Sequence, residues 1–223
     1  MAFILRDLRT TSINRLKLPI ARRTFTISSI TMASRISETI KNDHREIESY
    51  YDQILNATEE TEKTRWQNMF TWELARHSIG EELVVYPAFE KYVSGGVDIA
   101  NKDRQEHQSV KEQLKKFQNM KASDPEFIPT LKALMDDLSQ HIKEEEADDL
   151  PKLEEALSQE ESEKYSTSFG RTKMFVPSRS HPSAPDKPPY ETAAGLLAAP
   201  FDHIADLFRK WPHTSGMPNP STK

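Results

Sequence analysis

The sequence predicts an all-α protein: an antiparallel up-down-up-down four-helix bundle, followed by a Pro-rich linker and an amphipathic C-terminal helix. Three observations carry this expectation. Leu, Glu, Lys, Gln and Ala dominate the middle of the chain, while Gly and strand-like runs of Val, Ile and Thr are scarce. From Ile36 to about Leu157, apolar residues recur in steps of three and four, the period of one helix face. Short breaks rich in turn formers cut this stretch into four segments, and short connections make neighbouring helices antiparallel.

The first helix is expected over 36–56, with Ile40, Ile47, Tyr51 and Ile54 on one stripe. The second is expected over 59–93, stopped by Gly95 and Gly96. The third spans 97–120. The fourth opens with Asp124 as cap and Pro125 at the first helical position, and runs to about 157. The segment 158–190 reads as a linker, Pro-rich from Pro177 to Pro189. In the C-terminal region, 191–223, Phe201, Ile204, Phe208 and Trp211 return at helical spacing, and Pro200 suits the start of that helix but not its interior. This apolar face is expected to dock on the bundle or on a protein partner. Attachment to a membrane surface is the lesser reading, because the polar face is mixed rather than strongly basic.

Residues 1–35 carry Arg6, Arg9, Arg15, Lys17, Arg22, Arg23 and Arg35 against one acid, Asp7, and are rich in Ser and Thr. That composition reads as a mitochondrial presequence. The alternative is a plain basic arm, and Met32 is a second possible start that would leave a cytoplasmic form. No apolar run approaches the about 20 residues that span a bilayer. The absence of cysteine excludes disulfides, zinc–thiolate sites, iron–sulfur clusters and thiol catalysis. A net charge of −5 argues against nucleic acid as the main partner.

Four of the histidines fall one to a helix: His44, His77, His107 and His141. Each is in phase with its helix's apolar stripe: Ile40-His44-Ile47, Leu74-His77-Glu81-Val84, Asp103-His107-Val110, and Leu138-His141-Glu145. All four therefore point into the core, with Glu81 and Glu145 one turn beyond their histidines. A single core histidine is usually a hydrogen-bonded packing residue. Two buried glutamates among four imidazoles are a different matter, because burying carboxylates costs several kcal/mol unless a cation compensates. A divalent or trivalent cation held by His44, His77, Glu81, His107, His141 and Glu145 supplies that compensation.

The stretch also repeats. "DHREIESYYDQI" at Asp43 aligns with "EHQSVKEQLKKF" at Glu106, and "FTWELARHSIGEELVVYPAFE" aligns with "LMDDLSQHIKEEEADDLPKLE". His44 falls on His107, His77 on His141, Glu81 on Glu145, Glu82 on Glu146 and Pro87 on Pro151. Each half is a helical hairpin that brings one His and then a His-x-x-x-Glu pair, and a pseudo-twofold would converge the two sets on one site. Glu82 and Glu146 lie off the stripe and belong behind the ligands or in solvent. Each proline, ten residues past its histidine, must kink or end its helix.

These motifs, the "DH" opening of the first helix, "H-x-x-x-EE-x-x-x-x-P" in the second, "EH" in the third and "H-x-x-x-EE" in the fourth, resemble the hemerythrin-like, or HHE cation-binding, domain over about 36–157. The tail is similar to extensions on fungal members. The resemblance implies a four-helix bundle holding non-haem iron, commonly a di-iron centre with two bridging carboxylates. Members bind dioxygen, sense oxygen or iron, or serve in oxidative and nitrosative stress responses. The six residues above are the implied ligands. Oxygen carriers have a further histidine four residues after the one in the third helix, where this chain has Lys111, and a terminal Asp five residues after the last His, where this chain has Glu145 four on. One ion therefore lacks a ligand. Either Glu48 fills in, or the place takes water or dioxygen. The leading expectation is a protein that binds iron and interacts with dioxygen or a related small molecule, or that handles or senses iron. The alternative is a di-iron oxidase, peroxidase or nitric-oxide repair enzyme, and a third reading is a purely structural bundle. Glu-x-x-His pairs of ferritin-like oxidases and the His-Glu-x-x-His of zinc proteases are both missing.

Overall fold

The computed structural model describes residues 34–187 and 190–213, with side chains described throughout except at 190–196. The basic segment up to Met32, on which the mitochondrial expectation rests, lies outside the described residues. All regular elements among the described residues are helical: α1 (Ile36–Asn56), α2 (Glu60–Gly80), α3 (Tyr86–Tyr92), α4 (Gly96–Phe117), α5 (Phe127–Glu144), α6 (Leu150–Ala156), α7 (Gln159–Lys173) and α8 (Tyr190–Asp206). Two π-helical turns, π1 (Glu81–Val85) and π2 (Glu145–Asp149), join α2 to α3 and α5 to α6 without a break.

Helix α1 packs on α2, α2 on α4, α4 on α5 and α5 on α1. Their apolar stripes build two clusters separated by a polar layer. Ile47, Ile54, Phe70, Leu74, Val110, Leu114, Phe117, Leu131, Leu134 and Leu138 belong to one. Ile36, Ile40, Val84, Phe89, Ala100, Leu150 and Leu153 belong to the other. Along α1 and α4 the chain passes from the second cluster to the first, and along α2 and α5 from the first to the second. In each passage it crosses His44, His77, His107 or His141.

The prolines act through the π turns. Proline lacks an N–H and clashes with the carbonyl four residues back. The wider turn resolves both, since the Tyr86 N–H donates to the Glu81 carbonyl and the Leu150 N–H to the Glu145 carbonyl, five residues back. The α-helix then resumes with Pro87 and Pro151 in its first turn. Gly95 turns the chain into α4 at φ 75°, a left-handed conformation that favours glycine. A Cβ on Gly96 would stand 1.9 Å from the Phe89 carbonyl oxygen, so that position too needs glycine.

Three expectations are corrected. Asp124 and Pro125 form a turn in front of the fourth helix rather than its cap. The Asp124 carboxylate accepts from the Glu126 N–H at 2.9 Å, and α5 begins at Phe127. The segment 158–190 is not a free linker. Ser158 and Glu161 form a reciprocal capping box that starts α7, which packs on α1 and α2, and Val176 to Ser180 are buried. The buried stretch is tied down by its polar groups: Arg179 donates to the Gln118 carbonyl at 2.7 Å, and the Ser180 N–H to Gln118 Oε1 at 2.9 Å. This cover explains why α2 is buried on every side from Trp66 to Ser78.

The third correction concerns α8, which starts ten residues before Pro200 and carries it inside. Its stripe does not dock on the bundle: Phe201, Ile204 and Phe208 are 76, 60 and 85% exposed, and of the four stripe residues only Trp211, beyond the helix, is buried, against Trp72. The polar face is the one held. Asp206 accepts from Ser178 Oγ at 2.6 Å, Asp202 pairs with His181 at 2.9 Å, and His203 Nε2 lies 3.0 Å from the Val176 carbonyl. These charge-assisted bonds fix the helix despite the hydrogen bond its proline forfeits. No helix among the described residues is long and apolar enough to cross a membrane.

Candidate metal centre

His44, His77, Glu81, His107, His141 and Glu145 meet in the polar layer, each at most 3% exposed. His77 Nε2 is 3.2 Å from one Glu81 oxygen and His107 Nε2 is 3.3 Å from the other. His107 and His141 face each other through their Nε2 atoms at 3.1 Å, and His44 Nε2 is 3.4 Å from Glu145. Three groups among the described residues thus have metal-ligand spacing: His44-His77-Glu81 and Glu81-His107-His141, which share Glu81, and Asp103-Glu106-His141.

The opposite ring nitrogens are held from behind by carboxylates. His44 Nδ1 lies 2.8 Å from Glu146, His77 Nδ1 3.3 Å from Asp43, His141 Nδ1 2.8 Å from Glu106, and His107 Nδ1 3.5 Å from Glu82. These pairings obey the sequence repeat: exchanging the halves turns His44–Glu146 into His107–Glu82, and His77–Asp43 into His141–Glu106. Such outer carboxylates place the proton on Nδ1 and leave Nε2 a lone pair aimed inward. The outer acids on the helix before each repeat histidine, Asp43 and Glu106, escape a search for stripe residues, although each is the neighbour of an in-phase histidine. Glu82 is buried as well, against Lys111 Nζ at 2.8 Å. Glu48, the alternative ligand, does not join the centre: it is half-buried and bonded to Arg45 on the outside of α1.

The electrostatics are those of a cation site. Both oxygens of Glu81, both of Glu145 and the His44 Nε2 are buried without a hydrogen-bond partner. Each such orphan costs roughly 1–3 kcal/mol, and more when charged. Burial, and then the charge of Glu145, push the Glu81 carboxyl well above the usual range. Burial pushes His77 well below its ordinary value, helped by His44 and Lys173, and lowers His107 to about 4. Glu106 is held down at about 2, chiefly by the hydrogen bond from His141. For His141 itself, burial opposes the cation, but Glu106 and the charges of Glu145 and Asp103 raise its pKa. The two imidazoles that burial holds neutral, His77 and His107, stand beside Glu81, a carboxylate without hydrogen-bond partners, and imidazole nitrogen with carboxylate oxygen is a donor set suited to a transition-metal ion.

Asp103, on the same face one turn before His107, is raised to about 7 by burial. Such an acid keeps its proton in the folded state, while the unfolded chain loses it near 3.8. Its stabilising share is complete below about 3.8 and is lost as pH rises to about 7. Metal-free Asp103→Asn is therefore expected to gain on the parent by roughly 1.4 kcal/mol per pH unit across that window, as read by urea denaturation in a chelator at pH 4, 5.5 and 7.

The fold and site define a class: an all-helical protein whose core carries buried His/Glu clusters that could bind a metal cation. The chain belongs to the hemerythrin family, since the model of the hemerythrin HHE cation binding domain matches residues 35–153. It is 58% identical over 180 residues, 80% of this chain and 89% of the other, to an uncharacterized hemerythrin-like protein of Schizosaccharomyces pombe. A solved hemerythrin HHE cation binding domain-containing protein from Mycobacterium kansasii shares the fold at 23% identity, with a TM-score of 0.55 over 63% of this chain and 86% of that one. A DNA nickase of Nostoc is 23% identical over 157 residues, 68% of this chain and 44% of its own length.

Proposed function

We propose that this chain is a non-haem iron protein with a di-iron centre, held by His44, His77, Glu81, His107, His141 and Glu145, that interacts with dioxygen or a related small molecule or handles and senses iron. The observation that carries the reading is the sharing of Glu81 by two clusters of ligand spacing. The donor set fits iron, being imidazole and carboxylate with no sulfur, and the orphaned carboxylate oxygens want a cation. Iron held there supplies a redox-active ion able to take a small diatomic ligand. The protein's share is to fix each Nε2 through an acid behind Nδ1, and to seal the layer with an apolar cluster on either side. The ring of helix packings and the alternating order of the two clusters along α1, α2, α4 and α5 support an up-down-up-down bundle over 36–157. The Arg-rich start supports a mitochondrial destination.

Anaerobic reconstitution with ferrous iron, read by metal content per chain and Mössbauer spectra, tests the reading. Two irons per chain are expected, and fewer than one would sink it. His77→Ala is expected to lose metal and holo-protein stability together, because binding free energy is also folding free energy. One contact favours the enzyme alternative: the buried Tyr86 hydroxyl lies 3.0 Å from His107 Nε2 and 3.1 Å from its Nδ1, so it would stand as a proton source next to an ion held by that histidine. Turnover of peroxide or nitric oxide by the loaded protein, lost in Tyr86→Phe, would select that alternative.

A further inference from the structure

We propose that Asp103 is a seventh ligand of the centre, serving the cation on His107 and His141 as the ligand that Lys111 cannot be. This rests on the reading of the core as a two-cation site. Positions 103, 107 and 111 lie one turn apart on one face of α4. The ammonium of Lys111 has no lone pair to offer, and it is engaged with Glu82 at 2.8 and 3.1 Å. One turn the other way, Asp103 is 1% exposed, and neither of its oxygens has a hydrogen-bond partner.

Asp103 has ligand spacing with His141: its oxygen, a His141 nitrogen and a Glu106 oxygen all lie within 4.8 Å of one another. Glu106 is already taken by His141 Nδ1 at 2.8 Å. Two bland explanations fall short. Lys102 is the nearby cation, but its Nζ is 4.0 Å from Asp103 against 2.7 Å from Glu144 and 3.2 Å from Glu106, and its side chain is 46% exposed. Protonation in the metal-free fold removes the charge but not the orphaning, since neither oxygen has a hydrogen-bond partner within reach. A carboxylate with no hydrogen bond of its own, beside an imidazole of the centre, would be satisfied by a cation held there.

Two variants of the full chain test this. The protein has no cysteine, so Asp103→Cys places a single thiol at the site. On loading with cobalt(II), it is expected to show a thiolate-to-metal charge-transfer band in the near ultraviolet, because a coordinating thiol is deprotonated outright. Absence of that band in a protein that still binds two cobalt ions overturns the proposal. Asp103→Asn is expected to weaken the second of two binding steps by more than about 100-fold, beyond the about 10–100-fold of an outer partner, for which Glu106→Gln is the comparison. Two unchanged steps in Asp103→Asn overturn it. A parent protein that binds no second ion overturns the two-cation reading itself, and Asp103's role with it.

Discussion

Glutamine in place of Glu81 is expected to abolish loading of both cations and yet to yield a metal-free protein more stable than the parent. One oxygen of Glu81 faces His77 and the other His107, so the change removes a ligand from each cluster. Both oxygens are buried and without hydrogen-bond partners, and the group is raised well above the usual carboxylate range by burial and by Glu145. The metal-free fold must hold a proton there that the unfolded chain has released above pH 4.5, so the parent loses stability as pH rises. Glutamine is neutral throughout and should recover that loss, its advantage over the parent growing as pH rises above 4.5. Iron content per chain should fall to near zero, while the melting temperature in chelator rises and the rise on adding iron disappears. A variant that still took up one iron would show that Glu145 alone can serve one cluster.

Methionine in place of Lys173 is expected to cost about 3–5 kcal/mol, the price of breaking a buried ion pair by removing one partner. The Lys173 ammonium on α7 bonds both Asp43 and Glu73, and its side chain is only 10% exposed. Methionine keeps the length and the packing, so the change isolates the charge. Asp43 is also the acid behind His77, so an Asp43 freed of its cation should hold the imidazole less well and weaken metal binding by about 10–100-fold. Urea denaturation with and without chelator, together with a chelator competition for iron, separates the two effects. Lost stability with unchanged affinity would reduce α7 to a packing element.

The sequence made the inner site legible because core positions repeat at the helical period. His44, His77, His107 and His141 are simply polar residues standing where apolar ones belong. The backing acids were harder to see. Asp43 and Glu106 sit beside the stripe, and Glu82 comes round into the core where the helix widens into π1. Helix α7 is hard to see in the sequence, although Ser158 and Glu161 announce its start, because its one fully buried apolar side chain is Phe169 and its other buried residues are Ser162 and Lys173. The ring of Phe169 fills the space over Gly80, where a Cβ would come within 2.7 Å of it. Apolar periodicity cannot find a helix held by charge. The same blindness inverted α8, whose buried face is Asp202 and Asp206 bonded to the chain at 178–181. Binary patterning assumes that water is always the better partner for a carboxylate, and there it is not.

The two π turns bear on any attempt to transplant this site. Each begins at a candidate bridging glutamate and inserts one residue into the turn, so everything after it is rotated by roughly 100° relative to an unbroken helix. Tyr86, Phe89, Leu150 and Leu153 reach the interior only through that rotation. Grafting the six side chains onto uniform scaffold rods would carry over the donor atoms and lose the gearing that seats the foot of each hairpin. Deleting Leu83 or Ala147 from the natural chain should have the same outcome.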